Sequence, residues 1–165
     1  MMQSFFVAIC ILFGKCWQMS KVNGRQKGAN FERFIAKELF LETGTNFRRN
    51  LSQYQQKGLA DLTPDGTFPF LIECKRYAAG VDPKWWDQIC QAARSSHNKN
   101  DALPCLIYKL DRQSIKCRIP IEAMRRLGEP APKGYLPDAQ FPWSYTATLE
   151  WPDFIYVCRE LMADV

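Results

Sequence analysis

The stretch Gly58-Leu-Ala-Asp61-Leu-Thr-Pro64-Asp65-Gly66-Thr-Phe68-Pro-Phe-Leu-Ile-Glu73-Cys74-Lys75 decides how this chain is read. It predicts a strand, a tight turn and a second strand. In Pro64-Asp65-Gly66 the proline presets φ, the aspartate tolerates the bend and the glycine takes positive φ. Residues 68–77 then run apolar and aromatic, as a buried strand does. Two charges interrupt that run, Glu73 and Lys75. Strand side chains alternate, so these two share a face while Cys74 points into the opposite layer. Asp61 lies on the partner strand, across the turn. If the strands pair, one acid from each converges with a lysine beside them. Two carboxylates and a lysine at the end of an apolar sheet outline a divalent-metal site. One condition is attached: the register of the hairpin must set Asp61 and Glu73 on one face.

The rest of the composition narrows what such a site can hold. The chain has 165 residues, is 47% hydrophobic and 24% charged, and carries a net charge of +5. That is one ordinary globular domain, mildly basic and compatible with a polyanionic partner. The cysteines number seven, an odd count, and no C-x-x-C pair exists among them. A disulfide framework and a structural zinc site are both disfavoured, and scattered thiols fit a reducing, cytoplasmic setting. With His97 as the single histidine, any metal must be held mainly by oxygens, which favours Mg²⁺ or Mn²⁺.

Along the chain, residues 1–19 form an apolar N-terminal extension, expected to stand outside the fold. The apolar run at 5–13 is too short to span a bilayer, and no basic leader or small-residue cleavage site marks a signal peptide. A membrane anchor is the alternative reading; no membrane partner is expected. Residues 20–28 read as a flexible basic arm with Lys21, Arg25 and Lys27. Asn30 then caps a helix to about Glu42, stopped by Gly44. Its stripe is Phe31, Phe34, Ile35 and Leu39, and either Glu32 or Glu38 borders it. Residues 46–55, with Arg48 and Arg49, read as a first strand whose polar face suits a phosphate backbone. After the hairpin, Asp82-Pro83 opens a helix with Trp86, Ile89, Cys90 and Ala93 inward, and Trp85, Gln88 and Gln91 elsewhere. Strands at 103–110 and 115–119 follow, with a short helix at 121–127. The Pro-rich stretch 128–143 is loop, and residues 145–151 and 152–162 give a last strand and helix. The order predicts an α/β fold, a mixed central sheet flanked by helices. Its core is expected over 20–128, with 129–165 packed on it.

A helix with Glu32, then Asp61, then Glu73-Cys74-Lys75 on the next strand, then helix and strand, resembles the PD-(D/E)xK nuclease superfamily. The resemblance is narrower to its small Holliday-junction-resolvase-like members of phages and archaea. It covers about 28–119, and implies the restriction-endonuclease-like order αβββαβ. The proline that usually precedes the aspartate is Ala60 here. The resemblance assigns the first-helix acid to Glu32 over Glu38, the metal aspartate to Asp61, and the acid and lysine to Glu73 and Lys75. A supporting glutamine falls to Gln88 or Gln91, with Gln88 preferred. It implies an Mg²⁺-dependent endodeoxyribonuclease, with Mn²⁺ substituting. Asp61, Glu73 and the Cys74 carbonyl would bind the metal, Lys75 would help activate water, and Glu32 would complete a second site or hold a coordinated water. Arg48, Arg49, Lys57 and Arg76 are the expected phosphate contacts. The substrate would be DNA, four-way junctions among the candidates, and the resolvase-like assembly a homodimer. A restriction- or repair-type nuclease and a non-catalytic DNA-binding module are the competing readings.

Overall fold

The structure, a computed structural model, describes residues 24–51, 59–95, 101–135 and 141–163. The apolar extension at 1–19 and Lys57 lie outside the described residues. The fold is organised around strand β3 (Phe70–Tyr77), which pairs in parallel with β4 (Leu103–Leu110) from Phe70↔Leu103 to Tyr77↔Leu110. Parallel neighbours need a crossover, and helix α2 (Pro83–Ala93) supplies it. Every other pairing is antiparallel. On one side β2 (Leu62–Pro64) and β1 (Phe47–Arg49) complete the sheet. On the other stand β5 (Ile115–Pro120) and β6 (Thr146–Glu150). The sheet is thus mixed and six-stranded, in the order β1 to β6.

Alternation along β3 sorts the two layers. Ile72 and Cys74 pack with Phe31, Ile35 and Leu39 of helix α1 (Gly24–Thr43) and with Phe154 of helix α4 (Trp151–Ala163). Leu71 belongs to the other face, beside Trp86, Ile89 and Cys90 of α2. Glu73 and Lys75 follow Leu71 at intervals of two and share its face. A short helix α3 (Ile121–Arg126) follows β5 directly, with Ala123 in the α1 and α4 layer. Among the described residues, no helix is long and apolar enough to cross a membrane.

Three expectations need correction. The segment 20–28 is helical from Gly24, so Asn30 is no cap. Instead its Oδ1 accepts from Gln26 Nε2 and Arg33 Nη1, each at 2.8 Å. Gly24 and Gly28 are poor helix formers, but tertiary contact overrides propensity: Lys27 Nζ lies 3.0 Å from Asp111 Oδ1, in the loop beyond β4. The far end behaves as read, with Gly44 at φ 74° donating its N–H to the Phe40 carbonyl at 2.9 Å. Second, β1 stops at Arg49, opposite Leu62 where the three-residue β2 begins, and one further bond, from the Asn50 N–H to the Asp61 carbonyl at 2.8 Å, closes that end. Third, the buried faces differ: Phe34 of α1 is exposed, and on α2 Ala92 is buried in place of Ala93, as is Trp85, beneath the ring of Tyr77.

The cap of α2 is built as the sequence predicts. Asp82 is extended, at φ −93°, and its Oδ1 accepts the Lys84 N–H at 3.0 Å, with Pro83 at the first helical position. Asp82→Ala should cost about 1 kcal/mol and lower Tm by roughly 3 °C. Thermal unfolding measures this, and an unchanged Tm would show that the cap contributes nothing.

Candidate active site

Strands β2 and β3 share one register pair, Leu62↔Ile72. Immediately before it, the Asp61 N–H donates to the Ile72 carbonyl at 2.9 Å. The Asp61 side chain then takes over, its Oδ2 accepting the Cys74 N–H at 2.6 Å. A carboxylate stands where a sheet would offer a main-chain carbonyl, and the two strands part there. In an extended strand the N–H and C=O of one residue lie on the same edge. The Cys74 carbonyl is therefore turned to the side where Asp61 stands. The hairpin is shorter than expected, and Asp61 and Glu73 both line one cleft of about 650 Å³.

Glu73 is 0% exposed and Asp61 5%; they are the buried charged residues of the described chain. Glu73 Oε1 accepts from Lys75 Nζ at 2.6 Å, whereas its Oε2 is buried with no hydrogen-bond partner. Burial, and next the charge of Asp61, push the Glu73 carboxyl up to about 8. Burial alone would lower Lys75, but the attraction and hydrogen bond of Glu73 outweigh it and hold the ammonium above its usual range. Lys75 Nζ also donates to Gln88 Oε1 at 3.3 Å, and Gln88 lines the cleft, whereas Gln91, exposed like Gln88, is not part of that lining. From α1, Glu32 lines the cleft and accepts from Arg49 Nε at 2.5 Å. Helices α1 and α2, strand β3 and the bend leading into β2 thus meet at one opening.

The expected phosphate contacts are placed less uniformly. Arg48 is 78% exposed along its side chain and pairs with Asp65 at 3.1 Å. Arg49 is turned inward onto Glu32. Arg76 lies in the cleft wall, tied to Asp111 at 2.6 Å and to the Lys109 carbonyl at 2.9 Å. Sequence reasoning missed Asp111, which gathers Lys27 and Arg76. No spacing signal links positions 27, 76 and 111; the fold alone brings them together. It also missed Tyr77 in the cleft lining, although strand alternation from Lys75 carried that signal.

Among the described residues, no three His, Cys, Asp or Glu side chains stand together as a ready-made metal site. Each acid is engaged otherwise: Asp61 by Cys74 N–H, Glu73 by Lys75 and Glu32 by Arg49. The donor chemistry nonetheless fits a hard divalent cation. Carboxylate and carbonyl oxygens face the cleft, and a buried carboxylate oxygen without a partner is the kind of atom a cation satisfies.

Helix, short edge strands, the strand with Glu73-Cys74-Lys75, then α2 and β4 form the α/β core that carries this cleft. The chain belongs to the family described as "Phage putative PDDEXK endonuclease", whose model matches residues 23–133. No curated protein matches it at a significant level. A solved structure of Hjc, a Holliday junction resolvase from the archaeal hyperthermophile Archaeoglobus fulgidus, is similar at 20% identity and a TM-score of 0.47. The match covers 79% of this chain and 96% of that one.

Proposed function

We propose that this protein is an Mg²⁺-dependent endodeoxyribonuclease acting on branched DNA such as a four-way junction, with Mn²⁺ able to substitute. One observation carries the reading. Glu73 is a fully buried carboxylate with an unpartnered oxygen, in a cleft that Asp61, Lys75, Gln88 and Glu32 also line. A buried carboxylate oxygen without a partner is costly, so clusters of this kind mark function more often than stability.

Asp61, Glu73 and the Cys74 carbonyl would hold the cation. When bound there, it supplies neutralisation of the phosphate charge and a lowered pKa for an attacking water. Lys75, held cationic by Glu73, is suited to stabilising developing charge and orienting the water, and less to taking its proton. Gln88 steadies the Lys75 ammonium through its 3.3 Å contact. Glu32, braced by Arg49, would complete a second cation site or hold a coordinated water. Arg48, Lys57 and Arg76 would meet phosphates along the strand. Two symmetric cuts in a junction call for two such sites, and a homodimer supplies them.

The test incubates purified protein with Mg²⁺, Mn²⁺ or EDTA on four-way junction, duplex and single-stranded DNA of equal length. Cleavage with either cation, abolished by EDTA and fastest on the junction, is the expected result. Cleavage that persists in EDTA would overturn the cation reading, and equal rates on all substrates would overturn the preference for branched DNA.

A further inference from the structure

We propose that Tyr77 is a stacking platform for a base left exposed where the DNA stack is broken, and that it sets the cut within a few nucleotides of that break. The proposal rests on the nuclease reading and names the structural class of substrate.

Tyr77 ends β3, on the same face as Glu73 and Lys75 by strand alternation. Two successive rungs tie this face to α2. Lys75 meets Gln88 at 3.3 Å, and Tyr77 meets Trp85, three residues earlier on the helix, with ring centroids 4.6 Å apart and planes inclined at 40°. Trp85 is itself only 8% exposed, so it is a fixed support. Tyr77 is 50% exposed despite that support, and it lines the same cleft as Glu73. A large ring braced on one side and open on the other, at the mouth of a cleft with acids at its back, has the form of an aromatic base-stacking site.

The geometry selects the DNA. Within an uninterrupted duplex each base is covered above and below by its neighbours. A free π-face occurs at a branch point, a flap or an unpaired strand, and stacking on it is indifferent to sequence. Tyr77 lies four residues beyond Glu73, about 13 Å at 3.3 Å per strand residue. That is about four steps of a stacked strand at 3.4 Å each. Lys27 and Arg76 line the same cleft and add positive charge to its wall.

The test compares wild type, Tyr77→Phe and Tyr77→Leu, with Mg²⁺, on a four-way junction, a flap and relaxed, covalently closed circular duplex. Leucine still covers Trp85 but offers no π-face, and Tyr77→Met serves if the leucine variant fails to fold. Tyr77→Phe should cut like wild type. Tyr77→Leu should lose about five- to a hundredfold in kcat/KM on junction and flap, with little change on the circle and with scattered cut positions. Equal loss on every DNA, or no loss on any, overturns the platform. A second arm needs no cleavage. A fluorescent base analogue placed at the branch, with protein in EDTA, should be quenched by wild type and Tyr77→Phe and not by Tyr77→Leu. No quenching by wild type overturns the platform. Quenching without cleavage in the first arm upholds it while rejecting the nuclease reading.

Discussion

Glu73→Ala leaves DNA binding within about twofold of wild type and lowers Mg²⁺-dependent cleavage by about a thousandfold or more. The expectation follows from where the carboxylate sits. It is wholly buried, one oxygen accepts from Lys75, and its second oxygen is unspent. Removing it takes away the proposed cation ligand and the counter-charge of Lys75 together, but no main-chain hydrogen bond. Asp61 is a poorer diagnostic. Its carboxylate also holds the Cys74 N–H, so its loss disturbs the strand as well as the chemistry. Single-turnover cleavage and a binding titration in EDTA check the prediction. A Glu73→Ala protein that cuts at the wild-type rate would remove Glu73 from the site.

Phe154→Ala should destabilise the fold by about 3–5 kcal/mol, which for a chain of this length lowers Tm by roughly 10 °C or more. The family match ends at residue 133, yet Phe154 is 0% exposed. Its ring lies 5.3 Å from that of Phe70 on β3 and 6.0 Å from that of Trp151. Helix α4 carries Val157, Cys158 and Leu161 into the same layer, and Arg159 reaches back to the Glu42 carboxylate at 2.7 Å. Strand β6 adds five register pairs to β5, from Lys116↔Glu150 to Pro120↔Thr146. We propose on this ground that the segment after 128 is part of the core's stability and not an appendage. Urea denaturation with a loss under about 1 kcal/mol would refute it.

Much of this was legible in the chain because it was local. An apolar run broken by two charges at a spacing of two identifies β3 and the shared face of Glu73 and Lys75. Asp82-Pro83 marks the start of α2, and Gly44 marks the end of α1, through backbone chemistry that neighbours do not alter. What was not legible depended on distant partners. The turn of α1 ahead of Asn30 carries Lys27 onto Asp111 across 84 positions, against the propensities of two glycines. The brevity of the hairpin comes from Asp61 replacing strand pairing with its own side chain, which no propensity records. Gln88 and Gln91 are indistinguishable until α2 is rotated against β3. The rotation that puts Gln88 beside Lys75 also puts Trp85 under Tyr77.

The cysteines, dismissed earlier as ligands, turn the molecule into its own clock. Cys74, Cys105, Cys117 and Cys158 are buried in the layer of α1 and α4, and Cys90 is buried in the layer of α2. Burial pushes the Cys90 thiol up to about 12 and Cys158 higher still. Such groups react with an alkylating reagent only when the structure around them opens. Alkylation followed by mass spectrometry therefore times the opening of each layer separately. Cys90 reacting well ahead of Cys158 would mean that the helix carrying Gln88 and Trp85 lifts from the sheet while the other side stays shut. The wall of the cleft would then have a motion of its own.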